Sequence, residues 1–154
     1  MAPAGEIRID KEGLWFYRDM EMSRRDIVRL FYRHLRKDES GRYAIEIGKQ
    51  HYPVEVEDTA YIVWAVCWID GDEAAEESIR LLLSDDSIEP LDPGTLRIGR
   101  EGIPYCRVKN GCFDARFTRS SYYRLAERVQ FDALCRSYFI LLKQQRYYIE
   151  EENT

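Results

Sequence analysis

The sequence predicts an α+β protein made of an internally duplicated β-β-α-β-β unit, antiparallel hairpins with two helices around a shared core. Three observations carry this. Placing Gly13 on Gly102 sets Ile7-Arg8-Ile9-Asp10-Lys11-Glu12-Gly13-Leu14 against Leu96-Arg97-Ile98-Gly99-Arg100-Glu101-Gly102-Ile103, and Arg18 against Arg107. Beyond an insertion in the second copy, Ser23-Arg24 meets Thr118-Arg119, Arg29-Leu30 meets Arg124-Leu125 and Arg33 meets Arg128. In that register Tyr43 meets Tyr138, Ile45 meets Ile140, Gln50 meets Gln145, Tyr52 meets Tyr147, Val54 meets Ile149 and Glu55 meets Glu150. A register kept across turn, cap, helix and hairpin is the mark of a repeat.

The division that follows is a first unit over 6–58, central strands and linker over 59–95, a second unit over 96–150 and a tail over 151–154. Each unit opens with strand, glycine turn, strand. Ser23 and Thr118 then read as N-caps. In the first helix Ile27, Leu30, Phe31 and Leu35 recur at helical spacing and are expected on the sheet, with Arg25, Arg29, Arg33 and Arg36 on the opposite face. Each unit is expected to end in a hairpin.

Between the units, Thr59 to Ile69 is rich in Tyr, Ile, Val and Trp and reads as a buried strand closed by Asp70-Gly71-Asp72. Ala74 to Leu83 is ambiguous, since Ala-Ala-Glu-Glu favours helix while Ile79, Leu81 and Leu83 alternate. The reading taken is strand from about Ser78, with the acidic residues at a solvated tip. Pro90 and Pro93-Gly94 read as linker. Asn110-Gly111 is the strongest hairpin signal, and it sets Lys109 facing Cys112 with Cys106 on the opposite face of the ribbon. Cys135 to Glu150 reads through the repeat as a helix end plus hairpin; one long helix to Tyr147 is the rival.

A chain of 154 residues can bury about 70% of its unfolded surface, enough for a core without staples. Eleven Tyr and 13% aromatic residues imply an aromatic core or an aromatic binding face. The net charge of −5 disfavours nucleic acid and anionic membrane as partners of the whole molecule. The N-terminus lacks the pattern of a signal peptide, and the apolar run Ala60 to Ile69 is about half the length a spanning helix needs. A soluble, cytoplasmic protein is expected. Cys67, Cys106, Cys112 and Cys135 show no zinc-like spacing and are expected as reduced thiols.

No residue is assigned a catalytic role, and no metal or cofactor is implied. His34 and His51 have too little company for a metal site or a triad, and no phosphate loop, nucleophile elbow or dinucleotide fingerprint occurs. Glu57 and Asp58 are adjacent carboxylates at a strand end, which point to opposite faces of a strand and do not naturally share a site. Asp58 reads better as a strand-ending turn residue. The arginine stripe could meet phosphates, but Arg29 and Arg33 recur as Arg124 and Arg128, which suits scaffold.

Positions that differ between the copies are better functional suspects. Trp15 aligns with Pro104 and Tyr17 with Cys106, so Trp15 and Tyr17 could form a stacking wall for a flat ligand, or be core.

The stretches Asp10-Lys11-Glu12-Gly13-Leu14-Trp15-Phe16, Ser40-Gly41-Arg42-Tyr43 and Val56-Glu57-Asp58, with Pro104-Tyr105 and Cys112 to Leu125, resemble a bacterial family known as domain of unknown function 1285. The resemblance covers most of the chain and departs between Gly48 and Val54 and after Val129. It implies a fold of repeated β and α motifs and a role in ligand binding or signal transduction, and it carries across no catalytic residues.

The functional expectation is a non-catalytic small-ligand-binding or regulatory module, with Trp15, Tyr17, Arg25 and Tyr43 as contributors to its site. The alternatives are a protein–protein interaction module without a small ligand, with a homodimer left open, and an enzyme using Glu57 or Asp58.

Overall fold

The structure is a computed structural model that describes residues 6–73 and 76–152. The chain divides into two compact units, Met1–Tyr61 and Ile62–Thr154.

In unit 1 the order is β1 (Ile7–Ile9), β2 (Trp15–Tyr17), β3 (Met20–Glu21), α1 (Arg25–Arg33), β4 (Leu35–Lys37), β5 (Tyr43–Ile47) and β6 (Gln50–Val56). The six strands form one sheet in the order β3-β2-β1-β6-β5-β4. The β1–β2 turn is set by Asp10, whose Oδ1 accepts from the N–H groups of Glu12 and Leu14, both at 2.9 Å. Gly13 completes it at a φ of 85°, where a side chain is strained. The first and last strands of the unit run parallel, with Arg8 opposite Glu55.

Helix α1 differs from expectation in length and face. Its N-cap is Arg24, not Ser23, and no side chain caps it; the Arg24 guanidinium instead pairs with Asp26 at 2.7 Å. The helix stops at Arg33, and His34 turns the chain out of it. Leu35 and Arg36 therefore belong to β4, and the arginine stripe on the helix is Arg25, Arg29 and Arg33. Val28 and Tyr32 are the buried helical residues, whereas Leu30 is 36% exposed. Tyr32 is buried because its polar end is satisfied: its hydroxyl donates to the Ala60 carbonyl at 2.9 Å, while its ring meets Trp15 edge-on and stacks on Tyr61.

Unit 2 contains most of β7 (Tyr61–Ile69), then β8 (Ser78–Leu83), β9 (Ile88–Pro90), β10 (Arg97–Ile98), β11 (Pro104–Val108), β12 (Phe113–Phe117), α2 (Arg119–Ala126), β13 (Val129–Asp132), β14 (Ser137–Leu142), β15 (Gln145–Tyr148) and β16 (Glu150–Glu151). One sheet runs β16-β10-β11-β12-β7-β8-β9, and β13-β14-β15 form another. Within the first of these, β10 pairs antiparallel with β11 and parallel with the last strand, β16, and Arg97 stands opposite Glu150.

The strand expected from Ser78 is β8; Ala74 and Ala75 of the preceding segment lie outside the described residues. The presumed linker holds more structure than its prolines suggest: Pro90 ends strand β9, which bonds on one side to β8, and Pro93–Thr95 form a 3-10 turn whose Asp92 carboxylate accepts from Gly94 N–H. Asn110 and Gly111 occupy the centre of a tight turn, both at positive φ, closed by Cys112 N–H on the Lys109 carbonyl. Cys106 is buried and Cys112 exposed.

Helix α2 is capped by Thr118, whose hydroxyl accepts from Ser121 N–H at 3.2 Å. It ends at Ala126, so Cys135 is no helix end; β13 lies between, and the hairpin reading of the segment holds as β14–β15.

Candidate functional site

Unit 1 carries an apolar cavity of about 510 Å³ lined by Ile7, Tyr17, Met22, Phe31, Ile45, Ile47 and Tyr52. Its walls follow from strand alternation. Ile7 lies opposite Tyr17 across β1 and β2, and Ile45 opposite Tyr52 across β5 and β6, so each pair brings a tyrosine beside an isoleucine. Phe31 from α1 and Met22 from the segment before the helix complete it. Met22 is anchored through its backbone, its N–H donating to the Trp15 carbonyl at 2.8 Å.

The four expected site residues are not all gathered here. Tyr17 lines the cavity and is 42% exposed. Trp15, at 1% exposure, belongs to the core; its ring centroid lies 5.9 Å from that of Phe31, so it supports a cavity wall from behind. Tyr43, on β5, has the Lys37 ammonium over its ring at 5.7 Å. Arg25 is the first residue of α1 and half-buried. Ile45, Ile47, Met22 and Tyr52 did not stand out in the sequence, because an apolar residue facing a cavity leaves the same pattern as one facing a core.

Glu57 has a structural partner. Its Oε2 accepts from Lys11 N–H at 2.9 Å, tying the end of β6 to the β1–β2 turn. His51 Nδ1 lies 3.7 Å from the Glu46 carboxylate, and His34 is half-buried at the end of α1. Among the described residues no cluster of His, Cys, Asp and Glu is arranged to hold a metal ion, and no helix is long and apolar enough to cross a membrane. The four cysteines are free. Burial, with the Glu89 carboxylate next in effect, pushes the Cys106 thiol far above the ordinary range.

Unit 2 holds a charged cluster around Lys109. Lys109 Nζ donates to Asp85 Oδ2 at 2.7 Å and Ser87 Oγ at 2.8 Å, while Glu89 Oε2 accepts from Lys109 N–H at 3.1 Å. Burial pushes the Asp85 carboxyl up, but the bonds from Lys109 and Ser87 outweigh it and leave the group below its usual value. The arrangement ties the β8–β9 turn to the β11–β12 turn.

Residues 3–59 match the model of the N-terminal domain of domain of unknown function 1285. None of the curated proteins matches the chain in sequence. Among solved structures the chain is similar to a DUF1285 family protein from Silicibacter pomeroyi, with a TM-score of 0.78 and 19% identity over 97% of this chain and 84% of that one. It is also similar to a DUF1285 family protein from Shewanella baltica, with a TM-score of 0.63 and 15% identity over 79% of this chain and 91% of that one. The chain resembles the DUF1285 family in sequence over residues 3–59 and shares the fold of two bacterial members over most of its length.

Proposed function

We propose that this protein is a non-catalytic module that binds a small, largely apolar ligand in the cavity of unit 1. The observation that carries the reading is the cavity itself: about 510 Å³, walled by Ile7, Phe31, Ile45 and Ile47, with Tyr17 and Tyr52 also in its lining. A few polar groups on an apolar concavity of this size are the usual composition of a small-molecule site. A regulatory role fits such a module, and four free thiols suit a reducing, cytoplasmic setting.

The test is a thermal-shift titration with small aromatic and aliphatic compounds, run on the wild type and on Ile47→Trp, which fills the cavity. A ligand of the native state raises the melting temperature with concentration, by the equivalent of about 2.7 kcal/mol at a hundredfold excess over Kd. The expected result is a rise in the wild type that Ile47→Trp removes. No shift with any compound would overturn the reading.

We infer as well that residues 6–58 and 96–150 are copies of one ancestral element with strands on either side of a helix. The support is the shared parallel closure, with Arg8 opposite Glu55 in one unit and Arg97 opposite Glu150 in the other.

One observation favours the alternative, an interaction module without a small ligand. Leu134 is 99% exposed beside the cross-strand pair Phe131 and Tyr138, whose rings lie 5.0 Å apart. Sedimentation equilibrium that finds a dimer, reduced to monomer by Leu134→Asp, would support it; a monomer at all concentrations would remove the homodimer.

A further inference from the structure

We propose a second small-molecule site, in unit 2, formed where a proline replaces an indole that fills the core of unit 1. Unit 2 has a cavity of about 340 Å³ whose lining includes Leu96, Pro104, Leu125, Ala126, Tyr138 and Glu151. The correspondence rests on backbone bonds common to both units. Gly13 N–H donates to the Asp10 carbonyl, and Gly102 N–H to that of Gly99; across these turns Ile9 pairs with Trp15, and Ile98 with Pro104. Pro104 thus stands where unit 1 has Trp15.

In unit 1 the rings of Trp15 and Tyr32 touch and are almost wholly buried. In unit 2 Pro104, the counterpart of Trp15, borders open space. The change from Trp15 to Pro104 removes an indole from a place that in unit 2 borders the cavity. A cavity with largely apolar walls accepts aromatic guests, as small engineered core cavities do.

The mouth sets the chemistry of the ligand. Glu151, opposite Ile98 in the β10–β16 pairing, borders the cavity and is exposed. The corresponding position in unit 1, opposite Ile9, is Val56. An apolar floor with a carboxylate at its rim fits a flat aromatic ring bearing a cationic group, the ring inside and the cation beside Glu151.

The probes are indole, tryptamine and indole-3-acetate, titrated into isotopically labelled full-length protein and followed by amide chemical shifts. The expected result is saturable perturbation around Leu96, Ala126 and Val129, with tryptamine tightest and indole-3-acetate weakest. Glu151→Gln is expected to reduce the preference for tryptamine over indole by about twofold to fivefold, the range an exposed ion pair supports. Ala126→Phe and, independently, Pro104→Trp are expected to abolish perturbation at these residues and to leave any binding in the unit 1 cavity intact. Absence of saturable perturbation by indole and tryptamine would overturn the proposal, as would binding that survives in whichever filling variant folds. Perturbation confined to Tyr17, Ile47 and Tyr52 would also overturn it, while sustaining the unit 1 reading.

Discussion

Trp15 and Tyr32 meet edge to face with ring centroids 5.0 Å apart, and around this contact the core of unit 1 is organised. Trp15→Ala is expected to cost about 3–5 kcal/mol, the range for emptying a buried aromatic site. Tyr32→Phe keeps the packing and loses only the bond to the Ala60 carbonyl, for about 0.5–1.5 kcal/mol. Urea unfolding of the two variants separates these magnitudes. A loss of less than half a kilocalorie for Trp15→Ala would contradict the burial described here.

Asp85 and Lys109 give unit 2 a pH-dependent tie. The Asp85 carboxyl lies below its ordinary value of 3.8 when folded, so its contribution is present above that value and is lost as pH falls through the folded one. Stability measured from pH 6 to pH 2 is expected to decline less steeply at the acid end in Asp85→Asn than in wild type. Lys109→Met is expected to cost about 1.5–3 kcal/mol at neutral pH, the scale of a hydrogen-bonded charged group. An unchanged acid slope in Asp85→Asn would exclude the carboxylate as its source.

The cap on α2 is real and that on α1 is missing. Thr118→Ala is expected to lower stability by about 0.5–2 kcal/mol. Ser23→Ala is expected to leave it nearly unchanged, since Ser23 precedes the Arg24 N-cap. Paired thermal denaturation curves check both.

Thiol labelling distinguishes the cysteines. Cys67, Cys112 and Cys135 are exposed and Cys106 is buried, so a disulfide reagent is expected to modify the first three in the native protein and Cys106 only after denaturant is added. Mass spectrometry of the labelled peptides reads this directly. Rapid native labelling of Cys106 would show that the β11–β12 region opens.

Much of the framework is legible in local residue chemistry. The Gly13 and Asn110-Gly111 turns, the Thr118 cap and the β8 strand from Ser78 each depend on interactions within a few residues, so spacing and propensity decide them. Helical spacing runs past the end of α1, because Leu35 and Arg36 continue the pattern while the pairing of Leu35 with Ile45 takes them into a sheet. Tyr32 gives no core signal in the sequence, since hydropathy ranks it below Leu30, and it is the distant Ala60 carbonyl that satisfies its buried hydroxyl.

By itself the sequence determined that the chain alternates short strands with two short helices, and it marked Trp15 and Pro104 as corresponding positions that differ. Those properties are written in turn residues, alternation and register, which act over short distances. Tertiary structure alone decided that Trp15 is core, that Tyr17 faces a cavity with Ile45, Ile47 and Tyr52, and that Pro104 and Ala126 border the same open space. Cavities are volumes left among side chains from several elements, and which residues share one depends on strand pairing and helix rotation together. An Ile against empty space and an Ile against a neighbouring ring are the same letter in the same pattern.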